Sequence, residues 1–287
     1  MDILTPIAFV VALAALLGAD VMDGGVIRSL INPSAMLLVL GGTLGATLMS
    51  FRMEAVKRVP KLIMAVLKPA KMDSVAVVRA LIGYAEIARR DGLLRLDAEL
   101  ENVKDDFMRH GLMMAIDGTD EALVRKVLES ELATREEAAV AGSRLFETAG
   151  GFAPTLGIIG TVVGLISVLS NISNAAKLAP SIATAFTATL WGVSSANLFW
   201  LPLSNKIKNN AQAEASVREI ILEGILAIEA GDNPRVVADK LKSFLTPEEV
   251  AELDGPGGKG AKGKGKDGEG QDQEGAPSAG GRRAAAR

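Results

Sequence analysis

The sequence predicts an all-α integral membrane protein with four transmembrane helices and a helical cytoplasmic domain. Two observations carry the prediction. Four long, uncharged, apolar stretches divide the chain, two at its start and two beyond residue 150. The basic residues near their ends fall on one side of them, and the segments on that side repeat apolar residues at helical spacing.

The first stretch, Ile3 to Ala19, lies between Asp2 and Asp20. At about 1.5 Å per residue it just crosses a hydrocarbon core. Asp2 precedes it where a signal peptide has a basic segment, and no clear small-residue cleavage site follows, so it reads as a retained helix. The second has its apolar heart at Met36 to Met49, between Arg28 and Arg52. The third, Phe152 to Leu169, lies between Glu147 and Lys177, and the fourth, Ile182 to Leu203, between Lys177 and Lys206. One such stretch fits a buried core helix, but four in one chain point to a membrane.

Orientation follows from the flanking charges. Arg52, Lys57, Arg58, Lys61, Lys68 and Lys71 follow span two, and Lys206 and Lys208 follow span four. The short connections, residues 20–34 and 170–181, carry only Arg28 and Lys177 as basic residues. Both termini are therefore expected in the cytoplasm. Residues 1–51 hold spans one and two, 52–150 a large cytoplasmic insertion, 151–204 spans three and four, and 205–250 the C-terminal helices.

Within the insertion, Asp73 is placed to cap a helix with Val78, Leu81, Ile82 and Ala85 on one face, ending at Arg89-Arg90-Asp91-Gly92. A second helix is expected over Leu96 to Arg109 and a third from near Thr119 toward span three. After span four, residues 205–230 are amphipathic until Gly231-Asp232-Asn233-Pro234 breaks them, and a last short helix is expected from Pro234 to Leu245. These helices flank the membrane segments and are expected to form one bundle. The tail, 251–287, becomes Gly, Lys, Ala, Asp and Gln with almost no apolar bulk, a composition too poor in burial to order itself.

Composition excludes several classes. Apolar residues make up 49% of the 287, and aromatics only 4%. There is no cysteine, which removes disulfides, thiolate metal sites and thiol enzymes. A net charge of −3 argues against a nucleic-acid binder. No phosphate loop, dinucleotide fingerprint or histidine cluster is present, and the single histidine, His110, sits in a charged helical region. Tyr84 reads as a partly buried helix residue. No enzyme or resident cofactor is expected.

The spans carry a different signal. Gly41, Gly42 and Gly45 in span two, and Gly157, Gly160 and Gly164 in span three, allow close approach of backbones. Pro154, Gly157, Thr161, Gly164 and Val168 share one face of span three; Ala185, Thr189, Gly192 and Ala196 share one face of span four. Two readings fit the threonines: tight packing with each hydroxyl bonded back to its own helix, or the lining of a pore. No span carries an ionisable residue near its middle, where an ion pathway normally needs one. A conducting role therefore requires a second protein to supply the carboxylate.

Local text resembles the flagellar stator A-subunit family, MotA and PomA. Residues 153–165, APTLGIIGTVVGL, resemble its third span; Ala188-Thr189-Leu190-Trp191-Gly192 with Ala196-Asn197-Leu198 resembles its fourth; Gly231-Asp232-Asn233-Pro234-Arg235 resembles its post-membrane proline motif. The resemblance covers roughly residues 1–250 and includes the order of spans and insertion. It implies a homopentamer in the bacterial inner membrane around two copies of a single-span B subunit (MotB/PomB-like, 5:2). That partner's aspartate takes the ion and its outer domain grips peptidoglycan. Ion flow turns the pentamer, and cytoplasmic charges push the switch-complex protein of the rotor. By match to the family motif those charges are Arg89, Arg90 and Asp97, with Glu99 as a neighbouring candidate because the family often has glutamate where this chain has Asp97. The family prolines correspond to Pro154 and Pro234, expected to set helix geometry during the cycle; ordinary helix initiation is the plainer reading of both.

The transported ion is H+ or Na+. Sodium prefers several oxygen ligands, and hydroxyls at Thr161 and Thr189 would add two to the partner's carboxylate. The resemblance favours sodium, since family members that use it have threonine at both positions, whereas proton users often have alanine at the first. Two alternatives stand beside this reading. One is an energiser of outer-membrane processes of the ExbB/TolQ type, which usually has one span before its cytoplasmic domain and not two. The other is a membrane scaffold that conducts nothing.

Overall fold

The computed structural model describes residues 3–67 and 73–255. Lys68 and Lys71, and residues 256–287 of the expected disordered tail, lie outside the described residues. Every regular element among the described residues is helical.

Helix α1 (Leu4–Met22) buries none of its residues. Apolar all round, it is suited to lipid and not to water. It is tied to the rest of the chain by Phe9, whose ring meets Phe199 edge-on at 6.2 Å. After the short α2 (Ile27–Leu30), Asn32 caps α3 (Pro33–Met36) by accepting from the Ser34 and Ala35 amides. A π turn (Leu37–Gly41) continues this rod into α4 (Gly42–Ser50). Three stretches among the described residues are long and apolar enough to cross a membrane: Leu4–Met22, Ile27–Ser50 and Glu121–Ser170. The fourth expected span is α9 (Ala175–Ser195) with the π turn Ala196–Trp200. It falls outside that set because Ala, Thr and Ser dominate it, as suits a helix packed between α3 and its long predecessor.

The amphipathic α5 (Met53–Leu67) leads away from α4. Asp73 then caps α6 (Ser74–Asp91) by accepting from the Ala76 amide, and Gly92 ends the helix at φ +86°, a conformation that costs glycine little. Beyond it the structure differs from the expected helix over Leu96 to Arg109. Residues Leu93–Asn102 form a 3-10 run, and α7 (Asp106–Ile116) starts afresh where the Asp105 carboxylate accepts from the Met108 amide at 2.8 Å. The cap competes with helix continuation, while the tighter run turns Leu96 and Val103 inward.

Helix α8 (Glu121–Ser170) runs 50 residues, roughly 75 Å, from an Asp120 cap straight through the expected boundary at residue 150. Helix α10 (Leu201–Glu229) runs beside it. Ser204 donates to the Ser143 carbonyl at 3.0 Å and Lys208 pairs with Glu147 at 2.7 Å, pinning the two rods where the apolar stretches end. Gly231, at φ +72°, terminates the turn after α10, and Asn233 caps α11 (Pro234–Lys242) with Pro234 in its first turn. This is not the last helix: a Thr246–Glu249 capping box starts α12 (Pro247–Asp254). The ends of α8 and α10 away from the apolar stretches close with α6, α7, α11 and α12 over a single core that includes Leu81, Phe107, Leu128, Ile221, Ile225 and Leu241.

Candidate functional site

The region of chemical interest is the seam where α8 crosses α9. Glycine lets the two backbones touch. A Cβ placed on Gly157 would lie 3.1 Å from the Ala188 carbonyl oxygen and 3.2 Å from Thr189 Cα; one on Gly164 would lie 2.9 Å from Ala185 Cα. At this distance the two half-buried hydroxyls, Thr161 and Thr189, hydrogen-bond to each other across the seam. Thr161 also lies 3.1 Å from its own helix's Gly157 carbonyl and 3.4 Å from the Ala185 carbonyl of α9. Thr189 reaches the Gly157 carbonyl of α8 at 3.5 Å. One threonine is thus bonded back to its own helix, as tight packing requires, and both also bond across. The result is a group of four oxygens, two hydroxyl and two carbonyl, at the crossing.

The polar line continues toward the α8–α9 turn. Ser167 and Ser181 bond at 3.0 Å, and Asn171 donates to the Ser167 carbonyl. On the opposite flank of α9, Asn32 donates to Thr184 at 2.8 Å and Trp191 Nε1 donates to the Leu30 carbonyl at 2.7 Å, tying the second span to the fourth. The sequence assigns no role to Asn32, Ser167 or Ser181, and it places Trp191 only within the fourth-span motif. Their signal was a polar atom inside an apolar stretch, where a partner is needed. No ionisable side chain lies between Glu147 and Lys177 or between Lys177 and Lys206, so the oxygens of this seam are all neutral.

The two prolines differ. Pro154 sits inside α8, more than thirty residues from its start, so helix initiation does not account for it. It brings no N–H to the helix, leaving the Gly150 carbonyl without its usual donor. Pro234 opens α11, as an initiating proline does.

A second region of interest is the turn after α6. Arg89 and Arg90 are exposed, as are Asp97 and its neighbours Arg95 and Glu101, while Glu99 is half-buried. Arg90, 77% exposed, forms a fork with Asp91 at 2.7–3.0 Å. The hydrogen bond to Asp91 raises the Arg90 pKa, and the same bond holds the Asp91 carboxyl below its ordinary value. Beneath the charges, burial and then the nearby Glu99 push the Tyr84 phenol up. The turn that carries the charges is anchored by the buried Leu96, which shares a core with Leu81 and Ala85. Arg89 and Arg90 lie in the last turn of α6, and Asp97 and Glu99 lie in the 3-10 run that follows it.

Residues 6–91 match the Motility protein A N-terminal family and residues 99–220 the MotA/TolQ/ExbB proton channel family. Motility protein A of Bacillus subtilis is 35% identical over 250 residues, covering 87% of this chain and 93% of its own length. Chemotaxis protein PomA of Vibrio alginolyticus is 31% identical, covering 88% of this chain and all of its own length. Among solved structures, C. jejuni MotAB superposes with a TM-score of 0.82 at 30% identity, covering 89% of this chain and 98% of the matched chain. The flagellar MotAB stator complex from Bacillus subtilis gives 0.81 at 34% identity, covering 87% and 98%. Relatives matched over nearly their full length agree with the match of the N-terminal region, and the chain belongs to the motility protein A family.

Proposed function

We propose that this chain is the channel-and-torque subunit of a flagellar stator, working with a single-span, peptidoglycan-anchored partner to couple ion flow to rotation. The observation that carries this beyond family membership is the α8–α9 seam: it offers hydroxyl and carbonyl oxygens and no titratable group. An ion crossing there needs a carboxylate from elsewhere, and both similar solved structures are of MotA with MotB. One chain has one such oxygen group, which makes no closed conduit by itself. Five copies around two partner helices would close it, with four spans per copy, both termini in the cytoplasm and the inner membrane as location. The exposed charges at Arg89, Arg90 and Asp97, with the half-buried Glu99, then face the rotor switch protein. The role is not enzymatic.

Sodium is the ion this donor set favours. Thr161, Thr189 and the Gly157 and Ala185 carbonyls are the neutral oxygens a hard cation would take together with the partner carboxylate. The match of residues 6–91 to the motility family's N-terminal region supports the stator over an outer-membrane energiser. Deletion of the gene should abolish swimming and leave nutrient uptake intact, and the full chain with its single-span partner should restore it; deletion strains that swim normally would remove the proposal. Thr161→Ala should slow swimming, and sodium-free buffer should stop the wild type. Unchanged motility in both would leave the stator and remove sodium. Co-expression with the partner and no ion flux would favour a non-conducting scaffold.

A further inference from the structure

Where α4 ends and α5 begins, the chain forms an open-sided cavity of about 320 Å³ with an almost wholly apolar wall. Leu44 of α4, Val59 and Ile63 of α5, Phe146 and Ala149 of α8, and Trp200 of the second π turn line it. Its volume is in the range of small-molecule sites, yet its wall has almost no hydrogen-bonding surface. Thr47 also lines it, its hydroxyl donating to the Thr43 carbonyl, so the polar side-chain atom left without a partner among the lining residues is the buried Trp200 Nε1. A buried indole N–H usually finds a partner. On the same helix, Lys57 and Lys61 flank the cavity-lining Pro60 on the outward side; both are exposed and form no ion pair among the described residues. Arg52, exposed as well, stands at the junction itself. The cavity lies where an apolar span gives way to a basic amphipathic helix, the level at which a bilayer changes from acyl chain to headgroup.

We infer that this cavity holds an acyl chain of an anionic membrane phospholipid. The ester carbonyl would accept from Trp200 Nε1, and the headgroup would lie against Lys57, Lys61 and Arg52. An apolar slot with one unpartnered donor among its lining residues suits an acyl ester, and unpaired cations outside it suit a phosphate. A polar metabolite would leave its own groups unsatisfied on such a wall. The inference rests on the chain lying in a membrane, and on no particular ion or rotor contact.

The test uses the fluorescence of Trp200. The full chain with its partner is reconstituted in nanodiscs that contain lipid brominated on the acyl chain, with either a phosphatidylglycerol or a phosphatidylcholine headgroup at the same mole fraction. The chain has two tryptophans, so Trp191→Phe isolates the signal; should that variant not assemble, the difference between wild type and Trp200→Phe reports it. Quenching should be stronger with the brominated anionic lipid. Binding should weaken by about fivefold for each lysine removed in Lys57→Gln and Lys61→Gln. Ala149→Leu, which fills the slot, should reduce quenching by both lipids and leave the lysine effect small. Equal quenching by the two headgroups, unaffected by the lysine variants, would overturn the inference by showing ordinary bulk lipid. No quenching by either would overturn it by showing that protein, a second copy or the partner, covers the cavity.

Discussion

Substituting Gly192 tests whether close approach of α8 and α9 is required. A Cβ at this position would lie 2.7 Å from the Ala153 carbonyl oxygen and 2.9 Å from Gly157 Cα, both backbone atoms that no side-chain rotation can move. To reach ordinary contact at 3.4 Å the helices must part by about 0.7 Å. Overpacking of this kind costs about 1–3 kcal/mol. Alanine opposes it with about 1 kcal/mol of better helix propensity. Gly83, in mid-α6 with nothing within 4 Å of its notional Cβ, receives the propensity gain without the clash. The propensity effects roughly cancel between Gly192→Ala and Gly83→Ala, so the stability difference between them reports the clash, about 1–3 kcal/mol. The assay is denaturation of the purified complex followed by helical circular dichroism, with swimming speed in parallel. Parting the helices also pulls Thr189 from Thr161, so the Gly192 variant should lose speed while the Gly83 variant keeps it. Equal stability and equal swimming of the two variants would refute a seam that depends on backbone contact.

Further outcomes follow from the same structure. Arg90→Glu should slow swimming yet leave the thermal denaturation midpoint almost unchanged, because the side chain is exposed and bound only to Asp91; a large loss on thermal denaturation would show a structural role. Pro154→Ala should restore a donor to the Gly150 carbonyl and raise the stability of α8 by up to about 3 kcal/mol, while swimming falls; swimming at wild-type speed would remove the proline from the cycle. In Glu229, burial and then repulsion from Glu121 and Asp120 raise the carboxyl pKa above its ordinary 4.5. Its ionised form therefore destabilises the fold above that raised value, and the penalty disappears once pH falls below the unfolded value. Glu229→Gln should stabilise the bundle at pH 7 and have little effect near pH 4, which a pH series of denaturation midpoints reads.

Much of the bundle was legible because its signals are local. Asp73 caps α6, and Gly231 to Pro234 separates α10 from α11, since a carboxylate facing free amides or a ring without an N–H acts within one turn. The stretch after Gly92 was not legible. Leu96 to Arg109 has a helix-like composition, and only the pull of the core on Leu96 and Val103, with the cap at Asp105, decides for a 3-10 run followed by a new helix. The π turns at Leu37–Gly41 and Ala196–Trp200 were equally silent, because one extra residue in a helical turn is selected by what packs against it. For the site, Thr161 and Thr189 could be placed on small-residue faces, but the bonds to Asn32, Ser167 and Ser181 that surround them could not.

The amino-acid sequence by itself determined that this chain has apolar helices fit for a membrane, a charged helical bundle, and no titratable group of its own in the spans. These properties are sums over neighbouring residues, and helix periodicity carries them. Only the tertiary structure decided that α8 passes unbroken from the bundle through Pro154, and that its Thr161 meets Thr189. It also decided that α4, α5 and α8 leave an apolar cavity beside Trp200. Such facts depend on the register of one helix against another: the chain shows the glycines that permit close approach, but which atoms meet at Gly157, Gly164 and Gly192 is set only by the packed backbones.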